Sequence, residues 1–403
     1  MVVPFSPPDI NEDDIALVCE ALRSGWITTG PKTKEFERML SEYCGTNRAV
    51  ALNSATACLE LTLRVLGIGR GDEVIVTAYT YTASASVIEH VGATPVIIDI
   101  DEDNFFISVS NIEKAITEKT KAIIAVDYAG VPVDYKPIFD VVNKHKDKFV
   151  PANDIQKAMG RIAVIADAAH SLGAKRDGKM SGNLADFTSF SFHAVKNLTT
   201  AEGGGATWKT IDGIDDEWIY KQFMLFSLHG QDKDALAKTQ KGSWRYDIKI
   251  PGYKCNMTDM AAGLGISQLK RYGNLLERRH EIVETYNKAF ENIECVKPLM
   301  HTTEEYDSSC HLYIVRIDGI SEADRDDIIM QMAEKDVVTN VHYIPLPMHT
   351  AYKNMGFDIK DFPNAYNQYK NQISLPLYSI LTPEAQQYVI DSFIEVLKGK
   401  GLC

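Results

Sequence analysis

Fifteen residues, SFHAVKNLTTAEGGG from Ser191 to Gly205, hold the side chains of this chain best suited to chemistry. The apolar run ahead of them, ADFTSFSF, has the composition of a buried strand and delivers Ser191, His193 and Lys196 at or just past its carboxyl end. Burial and nearby cations penalise the charged form of a lysine and lower its pKa, and the neutral amine is the nucleophile that forms Schiff bases with carbonyls. About thirty residues upstream another apolar run, IAVIAD, stops on a carboxylate, Asp167. In an open parallel sheet, ligands sit outside the carboxyl ends of the strands. Lys196 and Asp167 are therefore expected to face one pocket.

An amine and a carboxylate at one pocket suit pyridoxal phosphate, whose aldehyde bonds a lysine and whose ring nitrogen needs an acidic partner. The phosphate needs a site as well. AVALNSATACLELTLRVLGIG reads as strand, small-residue turn and helix, which leaves a helix N-terminus open near Asn53, Ser54, Ala55 and Thr56. A capped βα turn without a ligand has the same pattern. Tyr81, in YTYT after a further strand, is placed to stack on a flat cofactor, although core filling is the ordinary use of an aromatic there. Thr28 and Thr29, in WITTGP, read first as a loop with a cap and second as ligand candidates.

The elements that position these groups follow from the apolar pattern. Asn11 is placed to cap a helix over DDIALVCEALRS, with Asp14 three residues on and Gly25 as its stop. From residue 73 onward EVIVTA, TPVIIDID and TKAIIAVDYAG alternate with the helical patterns SASVIEHV, NIEKAI and YKPIFDVVNKHK, the signature of an α/β layer around a mostly parallel sheet. Residues 146–161 read as a loop insertion with a short helix. The polar stretch 230–253 reads as a long loop, and 257–290 carries helical periodicity throughout, as a connector to a second unit. The last hundred residues, with strand-like HLYIVRI and VVTNVHYI and two helical patterns, read as a modest α+β module.

At 403 residues the chain exceeds the usual single-domain size. A net charge of -13 disfavours nucleic acid or an anionic membrane as partner. Seven cysteines without CxxC spacing or histidine clustering point to free thiols rather than disulfides or a metal site. No leader pattern and no bilayer-length apolar run is present, so a cytoplasmic protein is expected.

Around Lys196 the sequence resembles the PLP-dependent nucleotide-sugar aminotransferases, the DegT/DnrJ/StrS family. The matching pieces run in order along nearly the whole chain: SGWITTGP, ALNSATACLELTL, GRGDEVIVTAYTYTASASVI, GATPVIIDID, KAIIAVDYAG, ADAAHSLGA, FSFHAVKNLTTAEGG, GYKCNMTDMAAGLGISQL and VHYIPLP. The resemblance implies a fold-type-I enzyme with a large PLP-binding domain at 1–251 and a connector helix with a small C-terminal domain at 252–403. It implies that Lys196 holds PLP as a Schiff base and shuttles the proton, and that Asp167 pairs with the ring nitrogen. Tyr81 would stack on the ring, Ser191, Ala55 and Thr56 would grip the phosphate, and His170 would lie near the ring hydroxyl. Thr28, Thr29, His342 and Tyr343 would contact substrate. His170 and His193 also fit the role of core histidines.

Members of this family are homodimers with shared active sites. In many of them the segment after GY reads NYR, with the Asn reaching the neighbouring subunit's phosphate; here it holds Lys254, Cys255 and Asn256. Lys254 and Asn256 are thus cofactor-binding candidates. Asp127 stands where relatives commonly have His. The GYK.N pattern, SGWITTGP and FSFHA.KN resemble the branch that makes UDP-4-amino-4-deoxy-L-arabinose, which implies transfer from an amino acid, L-glutamate, to a UDP-linked 4-keto sugar. A 3-keto or dTDP/GDP-linked sugar, and a non-catalytic ligand-binding protein on the same scaffold, are the alternatives. Family members that dehydrate the sugar carry His in place of the lysine, so Lys196 argues against that chemistry.

Overall fold

The computed structural model describes residues 1–232 and 245–402. Its central sheet has seven strands: β1 (Ala49–Leu52), β2 (Glu73–Thr77), β3 (Thr94–Ile98), β4 (Thr120–Val126), β5 (Ala163–Asp167), β8 (Phe187–Ser191) and β9 (Gly204–Trp208). They lie in the order β1-β9-β8-β5-β4-β2-β3, while the short β6 (Lys175–Arg176), β7 (Lys179–Met180) and β11 (Tyr306–Asp307) form a small sheet of their own. Every pairing from β8 to β3 is parallel, and β9 alone runs against both its neighbours. The expected mostly parallel α/β sheet is therefore present.

These strands read as continuous apolar runs because both faces are covered. Successive residues feed opposite layers. Val50 and Leu52 of β1, Ala122 and Ile124 of β4, and Ile165 of β5 join one core, packed with α3 (Ala55–Val65), α4 (Ala83–His90) and α8 (Asp216–Ser227). Ala49 and Ala51, Ile123 and Ala125, and Val164 and Ala166 join the other, packed with α2 (Pro31–Cys44), α5 (Val109–Ala115) and α6 (Tyr135–Lys144). A third core gathers Val3 with residues between Ile282 and Leu397, around the three-stranded antiparallel sheet β10 (Val296–Pro298), β12 (Tyr313–Ile317) and β13 (Gln372–Leu375).

Helix α1 (Glu12–Ser24) starts and stops where its sequence signals it: Asn11 and Asp14 form a capping box, and Gly25 takes the left-handed conformation. The 146–161 segment holds a short helix, α7 (Asp154–Met159), whose cap Asn153 also donates to the Leu66 carbonyl at 2.9 Å. Part of the long loop expected at 230–253 lies outside the described residues.

Two expectations fail. The helical pattern of 257–290 is two helices, α9 (Asp259–Lys270) and α10 (Tyr272–Phe290), broken at Arg271, whose guanidinium turns to Asp9 and the buried Asp14 at 2.9 and 2.7 Å. VVTNVHYI is not a strand but makes only isolated bridges at Val337 and Asn340. The carbonyl of His342 accepts the phenol hydroxyls of Tyr79 (3.1 Å) and Tyr128 instead of joining a ladder.

The residue at the cap of helix α2 is Gly30, which has no side chain to cap it. The cap comes from α9: Asp259, 2% exposed, accepts the N–H groups of Gly30 (2.7 Å), Lys32 (3.1 Å) and Thr33 (2.9 Å), and the Thr33 hydroxyl (2.7 Å). One carboxylate thus satisfies helix donors that would otherwise be buried unpaired, and ties together two segments far apart in sequence. Asp259→Ala is expected to lower stability by about 2–4 kcal/mol and Asp259→Asn by less. Urea unfolding of the two variants beside the parent protein checks this.

Candidate active site

The parallel strands all point their carboxyl ends to one edge of the sheet, where β1 gives way to Asn53 and β4 to Asp127, and where β5 ends at Asp167 and β8 at Ser191. A cavity of about 420 Å³ opens there. Ala55, Thr56, Tyr81, Asp167 and His170 line it. So do Ser191, His193, Lys196, His342 and Tyr343, delivered by two further segments. Thr28, Thr29, Lys254 and Asn256 are not brought to it. Thr29, Lys254 and Asn256 form their own cluster, in which Asn256 donates to the Thr29 hydroxyl, that hydroxyl donates to the Met257 carbonyl, and the Lys254 ammonium meets the Asn256 side-chain oxygen, while the Thr28 carbonyl accepts the Asp259 N–H at 3.1 Å.

Asp167 is the last residue of β5 and is buried. Its Oδ2 accepts the Ser84 hydroxyl at 2.6 Å and its Oδ1 the Ala169 N–H at 3.2 Å. Burial nevertheless raises its pKa, against these donors and the charge of Lys196. Lys196 follows β8, its N–H bonded to the His193 carbonyl at 2.9 Å. Burial brings its ammonium down from 10.5 to about 8, although Asp167 pulls the other way. At pH 7 that shift raises the neutral, nucleophilic fraction about 300-fold.

Helix α3 starts beside this pair. Ser54 caps it by accepting the Ala57 N–H at 3.1 Å, and as first-turn residues Ala55 and Thr56 have N–H groups with no carbonyl inside the helix to meet. Gly204 makes the approach possible: a Cβ there would stand 2.3 Å from the Ser54 carbonyl carbon and 2.5 Å from the Ala55 nitrogen. Ser191 faces the same corner.

The remaining wall is aromatic. Tyr81, 61% exposed, lies 5.9 Å from the Tyr343 ring. The Tyr343 hydroxyl meets His170 Nε2 at 2.9 Å, and His170 Nδ1, also buried, has no partner among the described residues. Burial pushes the His170 pKa well down, helped by Lys196 and His342, and holds the ring neutral. His193 is no core histidine: it is half-exposed, with Nε2 3.7 Å from Glu202.

Sequence reasoning missed three groups. Ser84 sits in the first turn of α4, three residues after Tyr81, and its place on a helix that starts at a strand end was the signal that could have found it. His311, whose ring lies 4.2 Å from that of His170, and Phe5 carry no such signal, since only the fold brings them near. Asp127 is buried at the end of β4 and accepts from Val133 N (2.9 Å), the Tyr135 hydroxyl (2.8 Å) and the Ser171 hydroxyl (2.6 Å). Burial, with a contribution from Asp167, lifts it to about 6.

The sequence pattern of the DegT/DnrJ/EryC1/StrS aminotransferase family matches residues 8–394. This chain belongs to that family. A Streptococcus pneumoniae protein put forward as a sugar aminotransferase, Spr1654, solved in a pyridoxamine-phosphate form, is 56% identical over all of both chains with a TM-score of 0.96. The spore coat polysaccharide biosynthesis protein SpsC of Bacillus subtilis is 38% identical over 98% of this chain and 97% of its own. The UDP-4-amino-4-deoxy-L-arabinose--oxoglutarate aminotransferase of Shewanella sediminis is 35% identical over 99% of both. The enzyme is a sugar aminotransferase that depends on pyridoxal phosphate.

The cavity of this aminotransferase fits the cofactor on its own chemistry. It offers an amine that burial makes far easier to deprotonate, for an aldehyde, a buried carboxylate for a basic ring nitrogen, an open helix N-terminus for a phosphate and a buried imidazole nitrogen unpaired among the described residues. The lysine is costly to the cofactor-free aminotransferase. Below about pH 8 it is charged whether folded or unfolded, and the folded chain bears the desolvation; between about 8 and 10.5 the folded chain has shed a proton that the unfolded chain keeps, and the penalty fades. Lys196→Met is therefore expected to raise the melting temperature of the cofactor-free protein at pH 7, with a smaller gain at pH 10. Calorimetry at the two pH values measures both.

Proposed function

We propose that the enzyme moves an amino group from L-glutamate to the keto carbon of a UDP-linked 4-keto sugar, in amino-sugar or surface-glycan biosynthesis. What carries the transamination reading is the meeting of Lys196 and Asp167 at one cavity beside the open N-terminus of α3. The donor and the sugar are supported by the Shewanella relative, whose name joins a UDP-4-amino sugar to oxoglutarate. The glycan context is supported by the Bacillus relative.

When bound, the cofactor supplies a carrier for the amino group and a ring that accepts electrons from the substrate carbon. Lys196 would hold its aldehyde end and, as a neutral amine, take and return the proton at the substrate carbon. Asp167 would keep a proton on the ring nitrogen, held in line by Ser84 and the Ala169 N–H. Ala55, Thr56 and Ser191 would bind the phosphate, Tyr81 would cover one face of the ring, and His170 would lie by its hydroxyl. His342 and Tyr343 would contact substrate.

Among the described residues lining the cavity, Lys196 is the sole lysine and there is no arginine. A glutamate donor and a diphosphate acceptor both need cations. The reading therefore takes the enzyme as a homodimer in which Lys254 and Asn256, with Thr28 and Thr29, serve the partner's cavity rather than their own. It takes residues 1–251 as the PLP-binding domain and 252–403 as connector and small domain, which the separate third core supports.

Purified enzyme given pyridoxal phosphate is expected to absorb at the violet edge of the visible range, to lose that band on adding L-glutamate and to regain it with a UDP-4-keto sugar. Lys196→Ala is expected to abolish the band. A protein that stays colourless after incubation with the cofactor would falsify the reading, and a panel in which only 3-keto sugars restore the band would overturn the acceptor.

A further inference from the structure

The first residues of the chain supply part of the cavity wall. Val3 is fully buried and tethered through its backbone: its N–H donates to the Asp336 carbonyl at 2.8 Å, and its carbonyl accepts the Val338 N–H at 3.0 Å. Phe5 then stacks on the His342 ring, with 5.4 Å between centroids and 24° between planes. Ser6 donates its hydroxyl to the Val195 carbonyl at 3.4 Å, next to Lys196. Phe5 and Ser6 both line the cavity, whereas Met1, Val2 and Pro4 are exposed. The segment is thus a strap with the cavity on one side and solvent on the other. From Phe5 the rings continue through His342 to Tyr343 at 5.2 Å and on to Tyr81 at 5.9 Å, so that one aromatic arc joins the strap to the catalytic wall.

We infer that this strap selects the acceptor: Phe5 packs against the C–H face of the sugar ring, and Ser6 accepts from one of its hydroxyls. The inference rests on the sugar acceptor proposed above and adds the residues that recognise it. VPFSPP, residues 3–8, carries no charge, so it has nothing to offer the two carboxylates of glutamate. A pyranose presents an apolar face edged by hydroxyls, which an aromatic ring beside a hydroxyl matches. The Ser6 hydroxyl, its proton given to Val195, keeps lone pairs to accept with. Pro4, Pro7 and Pro8 restrict the backbone on either side of the pair, so little order remains to be imposed when a sugar arrives.

The two half-reactions of the loaded enzyme separate this role from a structural one. In Phe5→Ala the half-reaction with glutamate should stay within about threefold of the parent. The half-reaction with the UDP-4-keto sugar should lose about tenfold or more in kcat/KM, through KM, the scale of an aromatic contact removed. Calorimetric affinity for the UDP-amino sugar product should weaken by the same factor. Phe5→Leu keeps apolar bulk without a flat face and should fall between the two, which guards against a Phe5→Ala protein that fails to load cofactor. If sugar kinetics and product affinity are unchanged in Phe5→Leu and in any folded Phe5→Ala protein, or if both half-reactions decline in parallel, the strap is a tether only and the inference is wrong. A parent enzyme that reacts with glutamate yet aminates no nucleotide-linked keto sugar overturns the acceptor itself, and the strap's role with it.

Discussion

An amine and a carboxylate, both taken out of water at neighbouring strand ends, are the constraint to which the rest of the molecule answers. Burial moves each away from its charged form, so that Asp167 rises and Lys196 falls to about 8, and each holds the other partway back. Two such groups are tolerated only where the sheet puts them, because β5 and β8 are adjacent and parallel and release their chains on the same edge. The register sets Asp167 opposite Ser189, two residues before the strand ends and seven before the lysine. Shifting β5 by a residue would turn Asp167 to the opposite layer.

The surroundings read as the support this pair requires. Ser84 and the Ala169 N–H fix the carboxylate. Asp127, one strand over, draws in the Ser171 hydroxyl and so braces the turn that carries His170. The Ser309 hydroxyl reaches the His170 carbonyl from the other side. The His342 carbonyl, claimed by two buried tyrosines, turns the 337–344 segment inward and sets Tyr343 against His170. Apart from the Ala169 bond, each contact joins pieces of chain that are remote in sequence, so the site is a product of packing among several elements rather than of one motif.

Much of the frame was legible beforehand because it rests on local rules. Apolar runs long enough for a two-sided strand, Asn11 with Asp14 at a helix start, and small residues before a helix each point to their element without reference to anything distant. Where an element depended on a far partner, reading failed. Arg271 sits in unbroken helical periodicity, and only the carboxylates of Asp9 and Asp14 explain the break there. His342 lies in a run with strand composition, and only Tyr79 and Tyr128 explain why it pairs with no ladder.

The sequence by itself determined the chemistry this protein has at hand: a lysine and an aspartate closing apolar strands, a small-residue turn before a helix, and an ordered set of family segments. It could do so because side-chain type and strand periodicity are local properties. Only the tertiary structure decided which candidates share a cavity. It gathered Lys196, Asp167, His170 and Tyr343, drew Phe5 and His311 in, set Ser84 against Asp167, and left Lys254, Asn256 and Thr29 in a cluster of their own with Thr28 outside the cavity as well. Proximity of that kind follows from strand order and the packing of remote segments, and no local pattern encodes it.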